Sequence, residues 1–113
     1  MQYTKSVWTV ELLNARVLDE LNTLPADMRA RFRRIVELIQ SHGLEHVREP
    51  YVKHLEGPLW EMRMKGRDSI SRAVYVTAKG RRVVVVRVFI KKAQTTPRSE
   101  IVLALQRARE VIE

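Results

Sequence analysis

The stretch LWEMRMKGRDSISR, Leu59 to Arg72, puts Arg63, Lys65, Arg67 and Arg72 within one ten-residue window. The planar fork of donors on arginine grips phosphate oxygens in pairs. The first chemistry these residues suggest is therefore oxyanion binding. Lys91 and Lys92 form a second basic group just ahead of TTP, a helix-start signal. Free amides at a helix N-terminus also favour anions. For any one of these cations the ordinary alternative is a solvated strand residue, or a partner for Glu61 or Asp68. Their clustering is what favours a site.

The elements that must position these groups can be read from periodicity. YTKSVWTV, residues 3–10, is β-branched and aromatic and predicts a first strand. Leu13, Val17, Leu21 and Leu24 recur at helical spacing, and Pro25 restarts the chain. Met28, Phe32, Ile35, Val36 and Ile39 form the stripe of a second helix, and Gly43 stands at its expected left-handed cap. Residues 11–42 thus predict a pair of helices. LEHVREPYVKHLEGP, with Pro50, Gly57 and Pro58, predicts an irregular segment. Strands follow over 59–66, 70–78 and 82–91, separated by the turns RDS and AKGR. The last segment predicts a helix with Thr96 as N-cap and Pro97 as first residue, burying Ile101, Ala104, Leu105, Ala108 and Ile112. The expected class is α+β with an antiparallel sheet, in a single domain spanning 1–113.

Side-chain alternation then places the charges. On the first meander strand Trp60, Met62 and Met64 share one face, and Leu59, Glu61, Arg63 and Lys65 the other. On the third, Val84, Val86, Val88 and Ile90 should meet the helices, leaving Val83, Val85, Arg87 and Phe89 opposite. With Arg67-Asp68 as a two-residue loop, Arg63 faces Arg72. With Lys79-Gly80 as the next loop, Arg72 faces Arg87. The expectation is a row of three arginines flanked by Glu61 and Lys65. Opposed like charges destabilise a sheet by up to ~1 kcal/mol, which an anion seated between them would relieve.

The chain has 113 residues, 21 Lys and Arg against 13 Asp and Glu, a net charge of +8, and no cysteine. Residues 48–92 hold twelve basic and four acidic side chains, so the whole excess lies there. A basic patch of that kind points to a polyanion, most often nucleic acid. Disulfide and thiol chemistry are excluded, and a reducing cytoplasm fits. No run is long enough to span a membrane, and MQYTKSVWTV lacks the features of a secretory leader, so no membrane association is expected.

Other chemistries find no support. His42, His46 and His54 lack the companions of a metal site, so no metal and no cofactor are expected. There is no nucleophile elbow, no phosphate-binding glycine loop and no acidic two-metal pattern. A nuclease built this way would be metal-independent. RNA would be its natural substrate, because the 2′-hydroxyl can attack the adjacent phosphate.

The segments KHLEGPLWEMRM, SRAVYV and VVVVRVFIKKAQTTPRSEIVLALQRA resemble the RelE/ParE superfamily of toxins from type II toxin–antitoxin systems, in its phage-derived, HigB-like branch. The matching positions are Lys53, Leu55, Gly57, Leu59, Trp60, Glu61 and Arg63, then Arg72 and Tyr75, then Phe89, Lys91, Lys92, Thr96, Pro97 and Ala104. LNTLPADMRARFRRIVELIQSHG is similar to the helical pair of that branch. The resemblance implies a compact RelE-like fold, an antitoxin partner, often of helix-turn-helix type, and ribosome-dependent cleavage of mRNA in the cytoplasm. It implies that Arg63 orients the phosphate, that Arg72 stabilises the transition state, and that Lys91 or Lys92 assists with charge or proton transfer. Lys53, His54, Glu61, Lys65 and Arg87 complete the expected RNA-contacting set, with Glu61 and His54 as further proton-transfer candidates. Several superfamily members use a Tyr or His near the C-terminus, and this chain has neither after Phe89, so the general acid and base stay unassigned. Tyr75 reads first as core.

Two other classes stay open at this point: a ParE-like gyrase inhibitor and a non-enzymatic nucleic-acid-binding protein. Val83, Val85 and Phe89 are candidate antitoxin contacts, or else pack under the C-terminal helix.

Overall fold

The computed structural model describes residues 7–92 and 95–111. The elements run β1 (Thr9–Leu12), α1 (Ala15–Asn22), α2 (Ala26–His42), a 3-10 turn (Leu44–His46), β2 (Val52–Glu56), β3 (Leu59–Lys65), β4 (Ile70–Ala78), β5 (Arg82–Lys91) and α3 (Arg98–Ala108). They build a five-stranded sheet in the order β1-β5-β4-β3-β2. β1 lies parallel to β5, and every other pair is antiparallel. The α+β expectation holds. Residues 3–6 of the expected first strand and Ile112 lie outside the described residues.

Local sequence explains the helix bounds. The Asn14 side chain accepts from the Val17 amide and caps α1. Gly43 ends α2 at φ 89, and its amide donates to the Ile39 carbonyl. Its ψ of 147 continues the chain in extended form and not in the left-handed helical form expected. Thr96 does not cap α3. Pro97 is the residue that precedes the helix, and the Thr96 hydroxyl bonds elsewhere.

The sheet is covered on both faces. Val17, Met28, Phe32, Ile35 and Ile39 from the helical pair pack on Met62, Met64, Ala73, Tyr75, Val83, Val85 and Val88. α3 contributes Ile101, Ala104 and Ala108 to the other face, against Leu59, Val74, Val76, Val84, Val86 and Phe89. Trp60 shares the face of Met62 and Met64 as expected, but at the margin, 39% exposed.

Three expectations need correction. The segment expected to be irregular contains β2, an edge strand in which only Val52 is buried, so it carries little alternation to read. The β4–β5 loop has three residues, Lys79, Gly80 and Arg81, because Ala78 pairs with Arg82. Gly80 and Arg81 both take positive φ, 83 and 57. Further along, Val74 pairs with Arg87 but Tyr75 with Val85, so Val86 is an extra bulge residue. The longer loop and the bulge together move the register by two. Arg72 therefore opposes Phe89, and Arg87 opposes Val74. The bulge also changes the faces: Val83, Val85 and Val88 join the helical-pair core, while Val84, Val86 and Phe89 lie under α3. Val83 and Val85 are fully buried and Phe89 is 7% exposed, so all three serve packing.

The first loop is as expected. The Gly66 amide donates to the Ser69 carbonyl across Arg67 and Asp68, and Arg63 pairs with Arg72. The hairpin tip docks on α2: Asp27 Oδ2 accepts from the Arg67 amide at 2.9 Å. Gly66 allows this approach, since a Cβ there would lie 2.9 Å from Met28 Cγ and 3.1 Å from Asp27 Oδ2. Met28 is itself buried. Gly66→Ala is therefore expected to destabilise the fold by about 1–3 kcal/mol, the usual range for overpacking, read as a lower urea midpoint at unchanged slope.

Candidate anion-binding site

α3 covers only part of its sheet face, and the remainder carries the cations. Register puts Lys53 opposite Glu61, Arg63 opposite Arg72, and Lys91 opposite Ile70, which in turn faces Lys65. Beside them lies an open groove of about 730 Å³, bordered by Lys65, Arg67, Arg72, Lys91 and Lys92 with Asp68. Arg67 belongs to the basic cluster in the sequence but not to the expected catalytic or RNA-contacting set. As a turn residue beside Lys65 it reads as a solvated tip until the fold curves the hairpin around the groove.

Arg72 is the centre of the arrangement. It sits on the central strand β4 with 2% exposure. Glu61 Oε1 lies 3.1 Å from its Nε, but outside hydrogen-bonding geometry. Among the described residues neither Nε nor Nη1 finds a hydrogen-bond acceptor. Burial pulls this guanidinium below the usual arginine value, Glu61 opposes the shift, and Arg63 adds to it. An arginine stays charged even so, which leaves a buried cation with donor capacity unspent. Native structures rarely leave such groups orphaned.

Around it, Glu61 is 4% exposed and its Oε2 accepts from the Thr96 hydroxyl at 3.2 Å. Lys91 is held below the usual lysine range, first by burial and then by Arg72; Glu61 pulls the other way, while Arg63 and Lys53 add to the lowering. Lys92 is exposed at the groove margin. The groove can seat a phosphate, place two guanidinium groups beside it, and offer one amine with eased proton release.

Lys53, Glu61 and Arg63 lie beside this groove on the same sheet face without lining it, and the structure does not bring Arg87 or His54 to it. Arg87 Nη1 lies 2.8 Å from Glu20 Oε2, while its Nε and Nη2 donate to Glu100 at 2.8 and 3.0 Å. These bonds tie β5 to α1 and α3, so the expected row of three arginines is a pair. Arg107 joins the network, donating to Glu20 and to the Val86 carbonyl. His54 pairs with Trp60 in register, and so lies on the face opposite Arg63 and Arg72. Its Nε2 donates to the Gly57 carbonyl at 2.9 Å, and its ring meets Trp60 edge-on at 5.0 Å. His54, Trp60 and Tyr75 border a separate, largely apolar groove of about 660 Å³. Burial pushes the Tyr75 hydroxyl well above the usual tyrosine value, in keeping with a core role. Among the described residues there is no cluster of three or more acidic, His or Cys side chains suited to a metal ion, and no helix is long and apolar enough to cross a membrane.

The family model described as "Phage derived protein Gp49-like" matches residues 19–109. No curated protein matches the sequence. Among solved structures, the chain is similar to a mutant of the E. coli toxin RelE in the free state, with TM-score 0.62 and 19% identity over 90% of this chain and 98% of that one. It is similar to the archaeal RelE–RelB complex from Pyrococcus horikoshii OT3, with TM-score 0.60 and 19% identity over 77% and 98%. It is also similar to the toxin–antitoxin complex RelBE2 from Mycobacterium tuberculosis, with TM-score 0.53 and 16% identity over 81% and 100%.

The lowered pKa of Lys91 has a direct readout. Only the free amine reacts with an acylating reagent, and a depressed pKa supplies more of it below pH 10. Lys91 is expected to label faster than Lys65 or Lys92 in competitive acetylation at pH 8, followed by peptide mass spectrometry.

Proposed function

Because the chain belongs to the phage-derived Gp49-like family and has the RelE-type fold, we propose that it is the toxin of a type II toxin–antitoxin module. It acts as a ribosome-dependent mRNA endonuclease of HigB-like type, formed by one domain over 1–113 and working in the cytoplasm. The observation that carries this reading is the buried, unsatisfied guanidinium of Arg72, which pairs in register with Arg63 and borders a cationic groove.

The chemistry follows from these residues. The 2′-hydroxyl attacks the adjacent phosphate, a 2′,3′-cyclic phosphate forms, and the 5′-oxygen leaves with a proton. Charge builds on the non-bridging oxygens in the transition state. Donors fixed in place beforehand lower that barrier without reorganising. Arg63 orients the phosphate and Arg72 takes up the developing charge. Lys91 is the group best suited to move a proton, since burial and the neighbouring Arg72 lower its pKa and ease proton release. Lys53, Lys65 and Lys92 hold the flanking backbone. Its partner is an antitoxin of helix-turn-helix type. Two of the similar structures are toxin–antitoxin or RelE–RelB complexes, which supports an antitoxin partner here.

Induction of the wild type is expected to arrest growth and create new RNA ends by primer extension, absent when translation is blocked. Arg72→Ala and Arg63→Ala should each lower cleavage by about 100-fold or more, the usual effect of deleting one oxyanion donor. Full toxicity and normal cleavage in both variants would remove the site assignment. Growth arrest with intact mRNA and DNA-damage signalling would replace it with gyrase inhibition.

A further inference from the structure

Glu61 is an acid in a basic neighbourhood. It lies on β3 opposite Lys53, 4% exposed, with Arg63 two residues along the same face. A carboxylate offers about four acceptor sites, yet among the described residues this one accepts a single hydrogen bond, from the Thr96 hydroxyl. Its contact with Arg72 is ionic, at 3.1 Å and off the donor axis. Such an arrangement is poor as a structural salt bridge. Compare Glu100, which takes two aligned hydrogen bonds from Arg87. It is well suited to a charge that must hold a cation without saturating it.

We propose that Glu61 is the resident counter-ion of Arg72 at the groove: it neutralises this arginine in the absence of ligand and competes with an incoming phosphate for it. The inference rests on the reading of the groove as a phosphate site. Glu61 thereby acts as a positioning residue through Arg72, and Thr96 keeps its carboxylate turned toward the arginine. The role carries two effects of opposite sign. Removing the charge leaves Arg72 buried without a counter-ion, so the empty protein loses stability. The same change removes a negative charge beside the incoming phosphate, so anion affinity rises. A purely structural pair would lose both stability and affinity, because its loss would loosen the site. A general base would lose turnover with affinity unchanged.

The test compares wild type, Glu61→Gln and Glu61→Asp. Inorganic phosphate is titrated by melting-temperature shift, and a 2′-O-methyl RNA trinucleotide, which cannot be cleaved, by fluorescence. Glu61→Gln is expected to melt lower than wild type without ligand and to bind both probes roughly 10-fold tighter. Glu61→Asp, which restores the charge, should return affinity toward the wild-type value. If Glu61→Gln does not fold alone, phosphate is expected to restore its fold by supplying the missing anion; failure to do so overturns the proposal. Equal or weaker binding by a folded Glu61→Gln also overturns it. A wild type that binds neither probe would instead overturn the phosphate-site reading itself.

Discussion

A guanidinium buried on the central strand of a sheet is expensive to maintain, and much of the surrounding structure can be understood as a response to Arg72. Its register partner on β3 is another arginine, which makes the position worse. Relief comes from Glu61 on the same face and from the end of the sheet being left open toward a groove. α3 contributes by where it lies. Its buried residues pack over Val74, Val76, Val84 and Val86, and the hydroxyl just ahead of it reaches Glu61. A helix laid over Arg72 itself would have sealed the charge in apolar surroundings.

The other arginine expected in the row shows what full satisfaction looks like on the same sheet. Arg87 is held by two carboxylates from two helices, and its guanidinium lies 5.9 Å from the Phe89 ring. The hydrogen bond to Glu100, with support from Glu20, raises its pKa. Arg72 lacks such partners, and its pKa is lowered. The contrast separates two uses of one residue type. Arg87 fixes α1 and α3 to β5, whereas Arg72 keeps donor capacity unspent.

Much of this was legible in the sequence where local chemistry decides the outcome. β3, β4 and β5 fall within a residue of their expected bounds, because β-branched runs and turn residues mark them. The Arg63–Arg72 pairing was legible because a two-residue loop fixes register. β2 was not, since an exposed edge strand containing Lys53 and His54 shows little apolar pattern. The fate of Arg87 was hidden for another reason. Four consecutive valines read the same in either register, so neither the third loop residue nor the bulge leaves a trace in the pattern. Its partners Glu20 and Glu100 come from helices distant in sequence, and only the fold brings them to it. The ionic role of Glu61 lay between these cases: the sequence offered it as a neutraliser, but not as a buried one.

The bulge at Val86 has a consequence for chain length. An extra residue in an otherwise regular strand would turn every later side chain to the wrong face, sending Arg87 into the helical-pair core and Val88 under α3. The bulge absorbs that residue, and its carbonyl, left out of the ladder, accepts from Arg107 Nη1 at 2.8 Å. The irregularity thus becomes a docking point for α3. It also marks the one place in β5 where the strand's residue count and its facing have been uncoupled. Elsewhere along the strand a single insertion or deletion would exchange one packed face for the other, and here the fold has already accommodated one.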